Sequence, residues 1–344
     1  MQTREFRSDT MTRPTAAMRR AMAEAEVGDD VVGEDPTVTR LERVAADLLG
    51  KEAALFVPSG VFGNQCAIGV HACPGNEVIV SERTHVVEHE AGSAGALSGV
   101  QLRAVPPANG RYLTVADVAP RVRVGDDIHI PSTALVVLEN ALSDGTVMPL
   151  AAMREVQALA RAHDVRVHLD GARLFNAALA LGVEARELAA AADSVSFCLS
   201  KGLGAPVGSL LCGPAEFIAR ARRRRKVMGG GMRQVGVLAA PGLVALTEGR
   251  ARLADDHRRA RALVEGLAVI PGIVARPEDV VTNMVYVRVG LPGRSDDDLV
   301  AFLATRGVRV YPPLPDGVRF VTSLEVDDDD VAAALAAVRE FAGA

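Results

Sequence analysis

Two reactive side chains stand at the ends of apolar runs. Asp170 follows Val165–Leu169, and Ser200-Lys201 follows Ser194–Leu199, with the glycine-rich stretch GLGAPVG behind it. Short apolar runs of this kind read as buried strands. A carboxylate and an amine at successive strand ends, 31 residues apart, therefore face one crevice. A third feature, Pro58-Ser59-Gly60, sits at a helix start, where unpaired backbone N–H groups and the helix dipole suit a phosphate. A lysine amine forms an imine with an aldehyde. A carboxylate keeps a pyridine nitrogen protonated, so that the ring accepts electrons, and a phosphate cup anchors the far end. Pyridoxal 5′-phosphate (PLP) needs all three. A free lysine titrates near about 10.4, and desolvation or nearby positive charge lowers it into a nucleophilic range. Each feature also has a plain structural reading: a turn aspartate, a surface lysine, an ordinary helix start. Their convergence is what points to the cofactor.

The elements that must position them follow from periodicity. Residues 36–49 place Val38, Leu41, Val44, Ala45, Leu48 and Leu49 on one helical face, with Gly50 as a C-cap. Strands are expected at 53–57, 78–80, 134–138, 165–169, 194–199 and 207–212, and helices from Gly60 to about Val70 and over 150–163. Continuous apolar strands alternating with helices indicate an α/β fold with a mostly parallel sheet covered on both faces, which binds ligands at the carboxyl ends of its strands. From residue 248 the texture changes to a smaller α+β unit. It has a helix at 248–268, strands at 284–289, 308–311 and 319–322, a helix at 296–306 capped by Ser295 with Asp298, and a final helix after the acidic run Asp327–Asp330. The expected division is 1–247, an N-terminal arm with the large cofactor-binding domain, and 248–344, the small C-terminal domain.

Composition bounds the function. A chain of 344 residues with 49% hydrophobic content has ample core for two domains. A net charge of −5 gives no global field to attract nucleic acid. The polar start MQTREFRSDT lacks the apolar segment of a signal peptide, and no run approaches the roughly 18 apolar residues of a membrane span, so a cytoplasmic chain without membrane partners is expected. Cys66, Cys73, Cys198 and Cys212 read as buried core thiols, not a disulfide framework.

Several long motifs occur in one order: RSDTMTRPTAAM, VGDDVVGEDPTVTRLE, HLDGARLFNAA, SFCLSKGLGAPVGSLL and RKVMGGGMRQVGVLAA. With them the chain, from about Arg7 onward, resembles the low-specificity L-threonine aldolases, PLP enzymes of fold type I. The resemblance implies a PLP-dependent transferase-like fold and a role for each matching position. Lys201 carries the cofactor as an imine and Asp170 pairs with the pyridine nitrogen. His85 stacks on the ring near the substrate hydroxyl, and Glu90 orients His85. Ser59, Gly60 and Val61 hold the phosphate, with Ser200 nearby. Ser8, Arg173 and Arg319 bind the substrate carboxylate, the natural bidentate partner of guanidinium. His129 sits near the β-hydroxyl. Lys226 and Arg233, flanking GGGM, reach a neighbouring subunit's cofactor in a homotetramer built as a dimer of dimers. The implied reaction is retro-aldol cleavage of a small amino-acid substrate, an L-β-hydroxy-α-amino acid, to glycine and an aldehyde.

Two positions depart from the family pattern. Ala141-Leu142-Ser143 stands where Thr-His-Asn normally follows Glu139-Asn140, and Val61 stands where the phosphate loop usually has Thr. His89 likewise replaces a common aromatic residue. Other PLP reactions (β-elimination, racemisation, transamination) use the same scaffold, and a non-catalytic PLP-binding protein would carry the same residues. His85-Val86-Val87-Glu88-His89 matches the inverted zinc-protease signature H-x-x-E-H, which would make a zinc hydrolase of His85 and His89. The short segment and the following Ala91-Gly92 favour the reading without metal. The basic run 220–226 reads as a solvated face, with some side chains available to an interface or phosphate site.

Overall fold

The structure is a computed structural model that describes residues 3–125 and 127–343. Residues 1, 2, 126 and 344, which the expected domain ranges include, lie outside the described residues. A two-residue strand β1 (Arg4–Glu5) is followed by helices α1 (Ala16–Ala23) and α2 (Pro36–Leu49). Helix α2 begins where Asp35 accepts the backbone N–H groups of Thr37 and Val38, at 3.1 and 3.0 Å, and ends where Gly50 turns left-handed at φ +61°. The chain then alternates through β2 (Ala53–Val57), α3 (Gly60–His71), β3 (Glu77–Ser81), α4 (His85–Glu88), α5 (Ser93–Ser98), β4 (Gln101–Val105), α6 (Val115–Val118), β5 (Thr133–Glu139), α7 (Leu150–Ala162), β6 (Arg166–Asp170), α8 (Leu174–Leu181), α9 (Ala185–Ala190) and β7 (Ser194–Cys198). Strand β8 (Ser209–Gly213) leads into helices α10 (Ala215–Val227), α11 (Gly236–Val244) and α12 (Leu253–Ala268).

Seven of these strands form one sheet in the order β2-β8-β7-β6-β5-β3-β4. All pairings are parallel except the two made by β8, which runs against both β7 and β2. The mostly parallel fold is therefore present, with β2, β3, β5, β6 and β7 all ending on the same edge. Register aligns those ends: Glu139 pairs with Asp170, and Asp170 with Ser196.

The C-terminal part contains β9 (Ile273–Ala275), β10 (Met284–Val289), α13 (Asp296–Thr305), β11 (Val308–Arg309), β12 (Val318–Val321) and α14 (Asp328–Ala342). Strands β12, β10 and β9 form an antiparallel sheet with its own apolar core. Ser295 and Asp298 make the reciprocal cap expected of them, and Asp327 and Asp330 make a second. The start of the chain belongs with this core: β1 pairs with β11, and Phe6 is fully buried among C-terminal residues.

Four expectations are corrected. The helix expected from residue 248 begins at Leu253, after a π-helical turn at Ala245–Gly249. That turn is pressed on the loop after Lys201, since a Cβ on Gly249 would meet the Leu203 carbonyl oxygen at 2.2 Å. The strand expected to reach Tyr311 stops at Arg309, because its partner β1 is only two residues long. Cys73 is exposed, in the turn after α3, while the other three cysteines are buried. The basic run is a solvated face only in part: Arg220, Arg223 and Lys226 are exposed, and others are not. Arg225 is 2% exposed and donates to Asp30 at 2.6 Å and to the Phe56 carbonyl at 2.8 Å, and Arg222 pairs with Glu42 at 2.6 Å. Sequence shows the charge of such a run, not the acceptors that surround it.

Candidate active site

The chain has three lysines. Lys51 donates to the Ala192 carbonyl at 2.7 Å, and Lys226 is exposed on the last turn of α10. Lys201 alone follows a strand at the carboxyl edge of the sheet, three residues beyond the end of β7 at Cys198. Its backbone carbonyl accepts from Thr12 Oγ1 at 3.1 Å, which ties the N-terminal arm to the lysine loop.

Asp170 ends β6 and is 3% exposed. Its Oδ1 accepts the Ala172 N–H at 3.0 Å, and its Oδ2 accepts Asn64 Nδ2 at 2.7 Å. His85 opens the single turn α4, with Nδ1 3.1 Å from the buried Glu90. The hydrogen bond to Glu90 outweighs burial and holds the His85 pKa above its ordinary value. His85, Glu90 and Asp170 gather with their polar atoms within 4.8 Å of one another. His89 lies outside this group, exposed and 3.7 Å from Glu88. The cluster around His85 is thus built from Glu90 and Asp170, and not from the H-x-x-E-H pair.

Helix α3 brings its N-terminus up against β7. Ser59 caps it by accepting the Phe62 N–H at 3.2 Å, and the Gly60 and Val61 amides have no i−4 acceptor within the helix. The helix lies hard against β7: a Cβ on Gly60 would stand 2.8 Å from Cys198 Sγ, and one on Gly63 3.4 Å from Ser196 Cβ. Ser209, the first residue of β8, presents a buried hydroxyl without a protein partner beside Gly60. A lysine and a carboxylate on one strand edge, a histidine, and a helix N-terminus beside an unsatisfied hydroxyl fit PLP. Lys201, Asp170, His85, Ser59, Gly60 and Val61 are the residues available to hold it, with Ser200 adjacent.

Other named residues are placed differently. Arg173 spends its guanidinium on the fully buried Asp9, at 2.7 and 2.6 Å. Burial alone would raise the Asp9 carboxyl, but Arg173 holds it below its ordinary value. Ser8, next in the chain, is buried and accepts from Thr10 N at 3.2 Å. Arg319, on β12, has a buried Nε without a partner and lines a cavity of about 770 Å³ with Tyr286, Glu139, Ser143, Thr84 and His89. That cavity does not include Lys201 or Asp170 in its lining. It abuts Asp170 through Glu139, the register partner of that residue. The structure does not bring His129, Lys226 or Arg233 of the same chain into the cluster. His129 lies on an exposed loop, where its N–H donates to Asp127 at 2.9 Å, and the exposed Arg233 pairs with Asp29 at 2.5 Å.

Glu139, Asn64 and Asp9 stand beside His85, Asp170 and Arg173 without a signal in the sequence that marks them as a group. Glu139 is buried and accepts the His85 N–H at 2.8 Å and the Ser143 hydroxyl at 2.9 Å. Burial first, and then the neighbouring Asp170, push its carboxyl up to about 7. The available signal for Asn64 was polarity: Asn64-Gln65 interrupts an otherwise apolar helix.

The fold and this edge cluster define a PLP-dependent enzyme of fold type I. Residues 5–289 match the family model described as beta-eliminating lyase. A probable low-specificity L-threonine aldolase 2 of Arabidopsis thaliana is 44% identical over 96% of this chain and 95% of its own length. A low specificity L-threonine aldolase of Escherichia coli K12 is 43% identical over 98% of both. In fold, a threonine aldolase of Leishmania major superposes with a TM-score of 0.84 at 22% identity, covering 98% of this chain and 99% of that one. The chain belongs to the beta-eliminating lyase family and groups there with the low-specificity L-threonine aldolases.

Proposed function

We propose that the protein is a carbon–carbon lyase that cleaves L-threonine, L-allo-threonine and related L-β-hydroxy-α-amino acids to glycine and an aldehyde. The observation that carries this reading is the convergence of Lys201, Asp170 and His85 on one sheet edge beside a cavity lined by Arg319. Bound PLP supplies a carbonyl carbon for amine exchange and a ring that accepts the electron pair of the broken bond.

The protein's own groups do the rest. Asp170, fixed by the Asn64 and Ala172 donors, would pair with the ring nitrogen. The Gly60 and Val61 amides and Ser59 take the phosphate. Arg319 takes the substrate carboxylate, and Ser8 lies on the arm beside it, since Arg319 also reaches the Arg7 carbonyl at 3.4 Å. Arg173 joins that contact by exchanging Asp9 for substrate. His85, its Nδ1 turned to Glu90, offers Nε2 to the β-hydroxyl and accepts its proton as Cα–Cβ breaks. The raised pKa suits a group that takes a proton and returns it.

We further propose a cytoplasmic homotetramer, a dimer of dimers, in which His129, Lys226 and Arg233 serve a neighbouring subunit's site. Their exposure in a single chain supports this. Among the described residues no helix is long and apolar enough to cross a membrane. The direct test is product analysis of PLP-loaded protein with L-threonine. Equimolar acetaldehyde and glycine support cleavage; a keto acid, ammonia or the inverted amino acid would replace it with another reaction on the scaffold.

A further inference from the structure

Asn64 is 1% exposed, on the face of α3 that meets β6 and β7. An asparagine amide offers two N–H donors and an oxygen with two lone pairs. Here all four are used. Nδ2 donates to Asp170 Oδ2 at 2.7 Å and to Glu90 Oε1 at 2.8 Å, while Oδ1 accepts from Ser196 Oγ at 2.6 Å and lies 3.2 Å from His168 Nε2. Gln65, the next residue, donates to the other Glu90 oxygen at 2.6 Å. Glu90 in turn meets His85.

Two buried carboxylates this close repel and compete for one proton unless a donor stands between them. The Asn64 amide is that donor. It also sits one turn beyond Gly60 and Val61 on the same helix, so one rigid element places both the anion cup and the groups that face the ring. We infer that Asn64 is a positioning residue: its single amide holds Asp170 and Glu90 side by side, and so sets the ring-nitrogen carboxylate and His85 in one fixed relation to the phosphate cup. This rests on the PLP reading above. The other ionisable groups around the pair are His85 from α4, His168 from β6, Glu139 from β5 and Lys201 after β7.

The test compares wild type with Asn64→Asp, which is nearly isosteric but lacks the two donors when ionised, by titrating PLP into each protein from pH 6 to 9 and following its absorbance. A lost hydrogen bond to a charged group predicts a PLP dissociation constant about 10- to 100-fold above wild type at pH 8. The ratio shrinks as pH falls, because a protonated aspartic acid regains a donor. A residue that only fills space would give a ratio independent of pH, and that result, or a ratio within about twofold of one at pH 8, overturns the inference. Should Asn64→Asp fail to fold, Asn64→Ser keeps one hydroxyl donor and is expected to bind PLP more weakly than wild type, by less than the range above; wild-type affinity in that variant overturns the inference equally. Wild type that binds no PLP overturns the proposed function itself, and this inference with it, whereas wild type that binds beside an unaffected variant overturns this inference alone.

Discussion

At the scale of single residues, the site is an arrangement of carboxyl groups kept apart in function by their neighbours. Asp170 has two donors and ends β6 on the carboxyl edge of the sheet. Glu90 serves His85. Glu139, buried between the His85 backbone and Ser143, is pushed from an ordinary 4.5 up to about 7. The sign of its effect on stability follows from linkage. The folded state holds a proton that the unfolded chain releases between those values, so the stability from this group is complete below pH 4.5 and lost as pH rises through about 7. Glu139→Gln removes the ionisation. The variant should match wild type at pH 5 and exceed it by about 1–3 kcal/mol at pH 8, read from urea unfolding at both values. An equal difference at the two pH values would show that burial of the charge is not what strains this position. The substitutions Leu142 and Ser143 line the cavity, and Ser143 is what Glu139 now touches, so this departure from the family acts on the cavity wall and not on Lys201.

At the scale of elements, α3 and β7 are the pieces that must be in register. The Gly60 contact with Cys198 Sγ sets how near the helix N-terminus comes to the lysine strand. Gly60→Ala places a methyl group 2.8 Å from that sulfur, and should raise the PLP dissociation constant about tenfold while the protein stays folded. Adding Cys198→Ala makes room and should recover most of the loss; no recovery would mean that the contact is not the cause. This level was also the most legible in the sequence. The apolar runs before Asp170 and Lys201 declared themselves as parallel strands, and Gly50 and Ser295 as caps, because those signals are local. The contact partners were not legible. Glu139 reads as a strand residue and Asn64 as a polar interruption until the sheet register and the helix approach place them. Arg225 reads as one of a solvated run until Asp30, 195 residues away, is folded against it.

At the scale of the whole molecule, the N-terminal arm stitches the parts together. Phe6 is fully buried in the C-terminal core and packs edge-on to Phe320 with ring centroids 5.8 Å apart. Within a few residues the chain reaches Asp9, which holds Arg173, and Thr12, which bonds the lysine loop. Phe6→Ala should cost about 3–5 kcal/mol in urea unfolding and also weaken PLP binding, since the same arm anchors both. A large loss of stability with unchanged PLP affinity would show that the arm and the site are independent.

Whether Lys201 carries the cofactor is read by borohydride reduction of the PLP-loaded protein followed by peptide mass mapping. With only Lys51, Lys201 and Lys226 in the chain, the assignment is unambiguous. A single reduced phosphopyridoxyl group is expected on the peptide containing Lys201, and none after Lys201→Ala. The same group on Lys51 or Lys226, or on no lysine although PLP is bound, would contradict that expectation.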